Sequence, residues 1–133
     1  MNKFFRILTM VITMLGLNFF IEAHEGHEDK DVTITGEAMD LACYAGHPDS
    51  GQGLSHAKCA RECMKKGLPV GILTPDGVLY VALGSEHKTA NKILAPYAGR
   101  TVQATGHIKE VNHVKFFEIE SLKEAKGAAP AAQ

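Results

Sequence analysis

The clearest fold signal lies at residues 70–83, which read VGILTPDGVLYVAL. Two apolar runs flank Thr74-Pro75-Asp76-Gly77, where proline fixes one backbone dihedral and glycine accepts the conformation that closes a turn. Apolar runs on both sides of such a turn are typical of a β-hairpin. We therefore predict two antiparallel strands, at 70–73 and 78–83.

Three more strands are predicted outside this hairpin, at 32–38, 101–111 and 114–122. The first alternates apolar and polar side chains with the period of two that marks a half-buried strand. The last two are separated only by Asn112-His113, and this short connection predicts a second hairpin.

Helical spacing of apolar residues predicts two short helices, at 55–66 and 88–97. We expect Ser55 to cap the first helix and Gly67 to end it. The preceding segment, 41–53, is rich in Gly, Pro, Asp and Ser, so we expect a long loop there.

The resulting element order matches that of the OB-fold, a small five-stranded Greek-key barrel. The 133-residue length indicates a single small domain. We predict a mainly β, OB-fold-like domain at 32–123 with two short helices. The Cys/His loop and helix would be an insertion between strands one and two.

Residues 1–23 are predicted to be a signal peptide. Lys3 and Arg6 precede an apolar run at 7–21, and Ala23 is a small residue of the kind that signal peptidase requires. The run is shorter than the about 20 apolar residues that a spanning helix needs. We therefore expect a periplasmic or secreted protein that is not held in the membrane after cleavage.

Two segments outside the domain, 24–31 and 124–133, are predicted to be flexible or disordered. The first reads HEGHEDKD and contains no apolar side chain. Cleavage would make His24 the new N-terminus, so its amine and imidazole, with His27, form a candidate weak Cu(II) chelate. The alternative is that both histidines are only solvated residues of a flexible arm.

The charge balance argues against nucleic acid as a partner. The chain carries 14 basic and 15 acidic side chains, whereas nucleic acid binding depends on many basic contacts to phosphate. The sequence also contains no phosphate loop, dinucleotide fingerprint or metalloprotease helix motif. We predict that the protein is not an enzyme.

The strongest functional signal is a cluster within 21 residues that contains all three cysteines and two histidines: Cys43, His47, His56, Cys59 and Cys63. His56, Cys59 and Cys63 are spaced to share one helix face. Cys43, from the loop, would complete a four-ligand set, and His47 is as suited to a plain loop position as to a ligand. Thiolates with imidazole suit copper, Cu(I) in particular, with zinc as the alternative.

A disulfide is the competing interpretation of the cluster. In an oxidising compartment, a bond from Cys43 to Cys59 or Cys63 would staple the loop onto the helix. An odd number of cysteines in an exported protein weakens this account and suggests a thiol retained for metal or redox work.

The leading hypothesis is an exported metal-binding protein that buffers or delivers copper, with another periplasmic protein as a further candidate partner. The first alternative is a disulfide-stapled OB-fold interaction module that binds a protein or small ligand. The second alternative is a thiol redox protein that uses the odd cysteine.

Three short motifs carry a resemblance to a known group: DLACY at 40–44, HAKCAREC at 56–63 and GLPVG at 67–71. In this D-x-x-C-Y, H-x-x-C-A-x-x-C, G-x-P-x-G pattern, the chain resembles small, largely uncharacterised secreted bacterial proteins over about residues 32–123. The resemblance implies a shared OB-fold-like domain more than a shared activity.

Overall fold

A computed structural model describes residues 31–125. The predicted signal peptide, the histidine-containing segment up to residue 30 and the chain end from residue 126 lie outside the described residues. Within the described range, no helix is both long and apolar enough to cross a membrane.

The frame of the molecule is a mixed, five-stranded sheet. Its strands are β1 (Val32–Asp40), β2 (Val70–Leu73), β3 (Leu79–Leu83), β4 (Thr101–Val111) and β5 (Val114–Glu124). The strand order β1-β2-β3-β5-β4 returns to β1 through a β1–β4 pairing. All pairings are antiparallel except the one between β3 and β5. The prediction of a mainly β domain with five strands is confirmed.

Both predicted hairpins form. Leu73 lies opposite Leu79 across the turn at 74–78, where Gly77 has a positive φ of 83°. The β4–β5 hairpin turns at Asn112 and His113, which also have positive φ. β5 continues to Glu124, which pairs with Val102 and lies one residue beyond the predicted domain end.

Within residues 31–125, three short α-helices lie outside the sheet, namely α1 (Leu41–Gly46), α2 (Ala57–Lys65) and α3 (Asn91–Leu94). The first two lie between β1 and β2, and the third lies between β3 and β4. The predicted second helix is thus much shorter than 88–97, because the chain tightens into a 3-10 turn at Ala95–Tyr97 around Pro96.

The expected loop at 41–53 is wrong for its first half, because α1 begins at Leu41. Asp40 starts this helix by accepting hydrogen bonds at Oδ1 from the backbone N–H groups of Ala42 and Cys43. A carboxylate at the N-cap satisfies amide groups that would otherwise be left unpaired.

The start of α2 also differs from the expectation. Ser55 does not cap it; His56 holds the N-cap position and makes no capping hydrogen bond through its side chain. Its end follows the prediction, because Gly67 has a φ of 87°. The N–H groups of Gly67 and Leu68 then reach back to the carbonyls of Met64 and Cys63, which is a Schellman motif.

The core lies inside the sheet and beneath α2 and α3. Phe117 and Ile72 are fully buried within the strands, while Met64 of α2 and Leu94 of α3 are fully buried against them. Helix α2 therefore covers the sheet with one face and leaves another face free to carry the cysteines.

Glu37 is an exception in this largely apolar interior, since it is only 4% exposed. Its Oε1 accepts a 2.6 Å hydrogen bond from the backbone N–H of Gly53 and so ties the loop before α2 to β1. Burial raises the pKa of Glu37 above its ordinary value, although the hydrogen bond from Gly53 and the nearby His56 oppose this shift.

We expect Glu37→Gln to raise the melting temperature at neutral pH. A carboxyl whose pKa is raised on folding favours the native state when protonated, so its contribution to stability is lost as pH rises from 4.5 through the raised pKa. Glutamine keeps an acceptor for Gly53 and has no charge to bury. Thermal unfolding between pH 4.5 and 8 should therefore show a difference from the parent that grows with pH.

Glu62→Gln is the matched control. Its exposed carboxylate pairs with Lys65 at 2.9 Å, and this pairing lowers its pKa. A control variant that gains as much stability as Glu37→Gln would contradict the burial explanation.

Candidate metal centre

The site is built where β1 ends and α1 begins, at Asp40. This residue has no exposed surface. Oδ1 caps α1, while Oδ2 is buried without a hydrogen-bond partner. The first turn of α1 then places Cys43 directly above this carboxylate.

Helix α2 brings the other two cysteines to the same place. Cys59 and Cys63 lie one turn apart, and their Sγ atoms and that of Cys43 all lie within 4.8 Å of one another. Cys43 and Cys63 are half-buried and separated by 3.8 Å between Sγ atoms, whereas Cys59 is exposed. The sequence prediction that these three residues converge agrees with this geometry.

Side-chain hydrogen bonds from α2 and α3 fix the position of α2. Buried Asn91 donates through Nδ2 to the backbone carbonyls of Met64 and Leu68. Arg61 donates through Nε to the carbonyl of Ala95. Sequence reasoning missed Asn91, because a lone asparagine at the start of a short helix gives no signal of a distant partner.

The three cysteines are free thiols, and the Sγ atoms of Cys43 and Cys63 lie 3.8 Å apart, within hydrogen-bond distance of each other. A disulfide requires a shorter separation of about 2.05 Å. Two sulfurs bound to one tetrahedral ion at about 2.3 Å lie about 3.8 Å apart. The observed separation is thus compatible with a shared ion and close enough for a bond to form on oxidation.

The helical spacing of His56 predicts that it shares one site with Cys59 and Cys63, but the structure groups it with Asp40 and Cys43 instead. Its Nε2 lies 3.6 Å from Asp40 Oδ2, and His56, Asp40 and Cys43 form a second group of possible ligands, with one atom of each within 4.8 Å of the others. The expected set of Cys43, His56, Cys59 and Cys63 therefore divides into two overlapping groups that share Cys43.

Asp40 is the site residue that sequence reasoning missed. It stands first in the D-x-x-C-Y motif. The sequence signal that could have identified it is a residue type that caps helices, placed between a predicted strand and a segment that contains a cysteine.

The position of Asp40 explains the electrostatics of the site. A hydrogen bond with the Asp40 carboxylate favours the protonated thiol and, with burial and the neighbouring Cys63, raises the pKa of Cys43 to about 12. Cys43 therefore holds its proton at neutral pH unless a cation takes its place.

His47 is not brought into either group. It follows the last residue of α1, and its backbone has left the helix, with φ −143° and ψ 70°. Helical spacing from Cys43 consequently does not apply, and His47 is exposed. The candidate copper ligands His24 and His27 lie outside the described residues.

A third group of potential ligands lies away from the cysteines, on the sheet. It contains Asp31, His107 and Glu120, with 3.0 Å between His107 Nε2 and Glu120 Oε1. Asp31 and Glu120 are exposed. Exposed acidic residues beside a histidine are common at protein surfaces, so this group serves best as a control.

Comparison of the chain with protein-family models, curated proteins and solved structures finds no match.

The close packing of the loop after α1 predicts how substitution of two glycines should affect stability. A Cβ atom at Gly51 would lie 2.8 Å from the carbonyl oxygens of Cys43 and His47, whereas a Cβ atom at Gly46 would meet nothing within 4 Å. We expect Gly51→Ala to destabilise the fold by about 1–3 kcal/mol, because backbone must move to make room. Chemical denaturation measures this difference.

Gly46→Ala is the matched control, and it should leave stability unchanged or raise it, because alanine favours the helix. Equal stabilities of the two variants would show that the loop does not pack tightly on α1.

Proposed function

We propose that the protein binds copper as Cu(I) through the thiolates of Cys43, Cys59 and Cys63. The observation that carries this proposal is the convergence of three sulfur atoms from two helices within 4.8 Å of one another. Soft thiolates favour Cu(I), and three of them can surround such an ion without a further ligand. Zinc is the alternative ion, and it would need a fourth ligand.

The exposure of Cys59 supports a role in buffering or delivery. A structural ion is normally enclosed by its ligands, whereas here one ligand is open to solvent. A partner protein that offers its own thiolates could therefore attack the ion from the Cys59 side. We propose copper handling, with a second periplasmic protein as the candidate recipient.

The proposed location is the periplasm, which rests on the basic start, short apolar run and Ala23 of the sequence. We further propose that the five-stranded sheet is an OB-fold barrel. The return of the strand order to β1 and the parallel pairing of β3 with β5 support this assignment. The shared cysteine motifs support kinship with the secreted bacterial group.

The chemistry of Cys43 makes this residue a poor nucleophile. The thiolate is the nucleophilic form of cysteine, and the Asp40 carboxylate, together with burial, raises the pKa of Cys43 to about 12. A bound metal must also displace this proton, so metal affinity at Cys43 should fall as the solution is acidified.

The decisive test is a competition titration of Cu(I) against a chelator under anaerobic, reducing conditions. Cys59→Ser and Cys63→Ser should each remove most of the affinity, because serine preserves the shape but offers a hard oxygen. His107→Ala should leave the affinity unchanged, since His107 lies with Asp31 and Glu120 on the sheet. The proposal fails if the double Cys59→Ser, Cys63→Ser variant binds Cu(I) as tightly as the parent.

A disulfide-stapled interaction module is the second candidate function. The observation that favours it is the 3.8 Å approach of Cys43 and Cys63, which lie on different helices. Loss of two electrons and two protons to an oxidant of the periplasm would join them and leave Cys59 as the single exposed thiol. The OB-fold domain would then bind a protein or small ligand.

Counting thiols separates the two candidates. We expect three free thiols per chain when freshly purified protein is unfolded with a chelator and without reductant. One free thiol would instead support the staple. A Cys59→Ala variant, which should give two thiols in the first case and none in the second, is the matched control.

A further inference from the structure

The described part of the chain contains an unsatisfied polar pair beside the cysteines. Asp40 Oδ2 and His56 Nε2 are both buried and have no hydrogen-bond partner. They face each other at 3.6 Å, which is within ion-pair distance but longer than a hydrogen bond. Buried polar atoms are normally paired, so this arrangement requires an explanation.

Helix capping does not provide that explanation. Asp40 caps the start of α1 through Oδ1, and Oδ2 takes no part in that cap. His56 stands at the N-cap of α2 but makes no capping bond with its side chain. Neither unsatisfied atom is therefore needed to hold its helix.

The separation suits two ligands of one cation. A nitrogen and an oxygen at the usual ligand distances from zinc lie about 3.3–3.6 Å apart, depending on the angle between them. Cys43 Sγ, which lies within 4.8 Å of a carboxylate oxygen of Asp40 and a ring nitrogen of His56, would supply a third ligand. The nearby buried Glu37 adds negative charge to this region when it is ionised and interacts with His56.

We infer that Asp40 Oδ2, His56 Nε2 and Cys43 Sγ form a second cation position that takes a divalent ion, Zn(II). It rests on the proposed function for one feature, the Cys43 thiolate, which would bridge this ion and the Cu(I) held by the three cysteines. The two positions differ in chemistry. Three sulfurs select a soft ion, whereas a nitrogen, an oxygen and one sulfur suit an ion of borderline character.

The inference is tested with full-length protein that carries His24→Ala and His27→Ala, so that the N-terminal histidines do not contribute. One equivalent of Cu(I) is added anaerobically, followed by Zn(II), and bound ions are counted by native mass spectrometry. Zn(II) affinity is then measured by chelator competition. We expect one copper and one zinc per chain.

Two variants address the second position without removing a structural contact. His56→Gln deletes the imidazole, and Asp40→Asn removes the charge while keeping a capping acceptor. Each should lower Zn(II) affinity by at least about tenfold, because loss of even an outer-shell partner of a metal ligand has an effect of about 10–100-fold. His56→Gln should keep the Cu(I), since all three thiols are unchanged. Thermal melting of each variant checks that the fold is retained.

The outcomes separate this inference from the proposed function. Unchanged Zn(II) affinity in both variants would overturn the second position. Loss of zinc in His107→Ala, with no loss in His56→Gln, would place it on the sheet and also overturn the inference. Cu(I) binding that survives Cys59→Ser, Cys63→Ser would instead overturn the proposed function, while zinc dependence on His56 would still support the second position.

Discussion

The fully buried carboxylate of Asp40 is the interaction on which the candidate site depends. One of its oxygens begins α1 and thereby sets the direction in which Cys43 points. Its other oxygen faces His56 at 3.6 Å. Asp40 is the last residue of β1, and its side chain both caps α1 and lines the site. The position of the candidate ligands therefore depends on where β1 ends.

The sheet contributes by bringing chain-distant segments to this point. β1 pairs with β2 at one end and with β4 along the rest of its length. The end of β1 and the start of β2 therefore lie side by side, and the segment that connects them contains α1 and α2. Asn91, at the start of α3, fixes the end of α2 by donating hydrogen bonds to the carbonyls of Met64 and Leu68. Two short helices that would not be stable alone are in this way held rigidly enough to present three thiols.

The electrostatics of the site oppose a free thiolate at Cys43. The Asp40 carboxylate favours the protonated form of the Cys43 thiol and raises its pKa. A cation bound in the proposed site would replace this proton and neutralise the negative charge of both groups. Activated nucleophilic cysteines have instead a neighbouring positive charge.

The sequence by itself determined the strands, both hairpins and the end of α2, because alternation, turn residues and a C-terminal glycine act locally. It also placed Cys59 and Cys63 on one helix face, since helical spacing fixes which side chains share a face, whereas Cys43 comes from another segment and its approach depends on the tertiary structure. Only the tertiary structure decided that His56 turns to Asp40, that His47 is left outside and that 41–46 is helical. These outcomes depend on a buried carboxylate whose partners come from different segments, and local pattern carries no information about which segments meet.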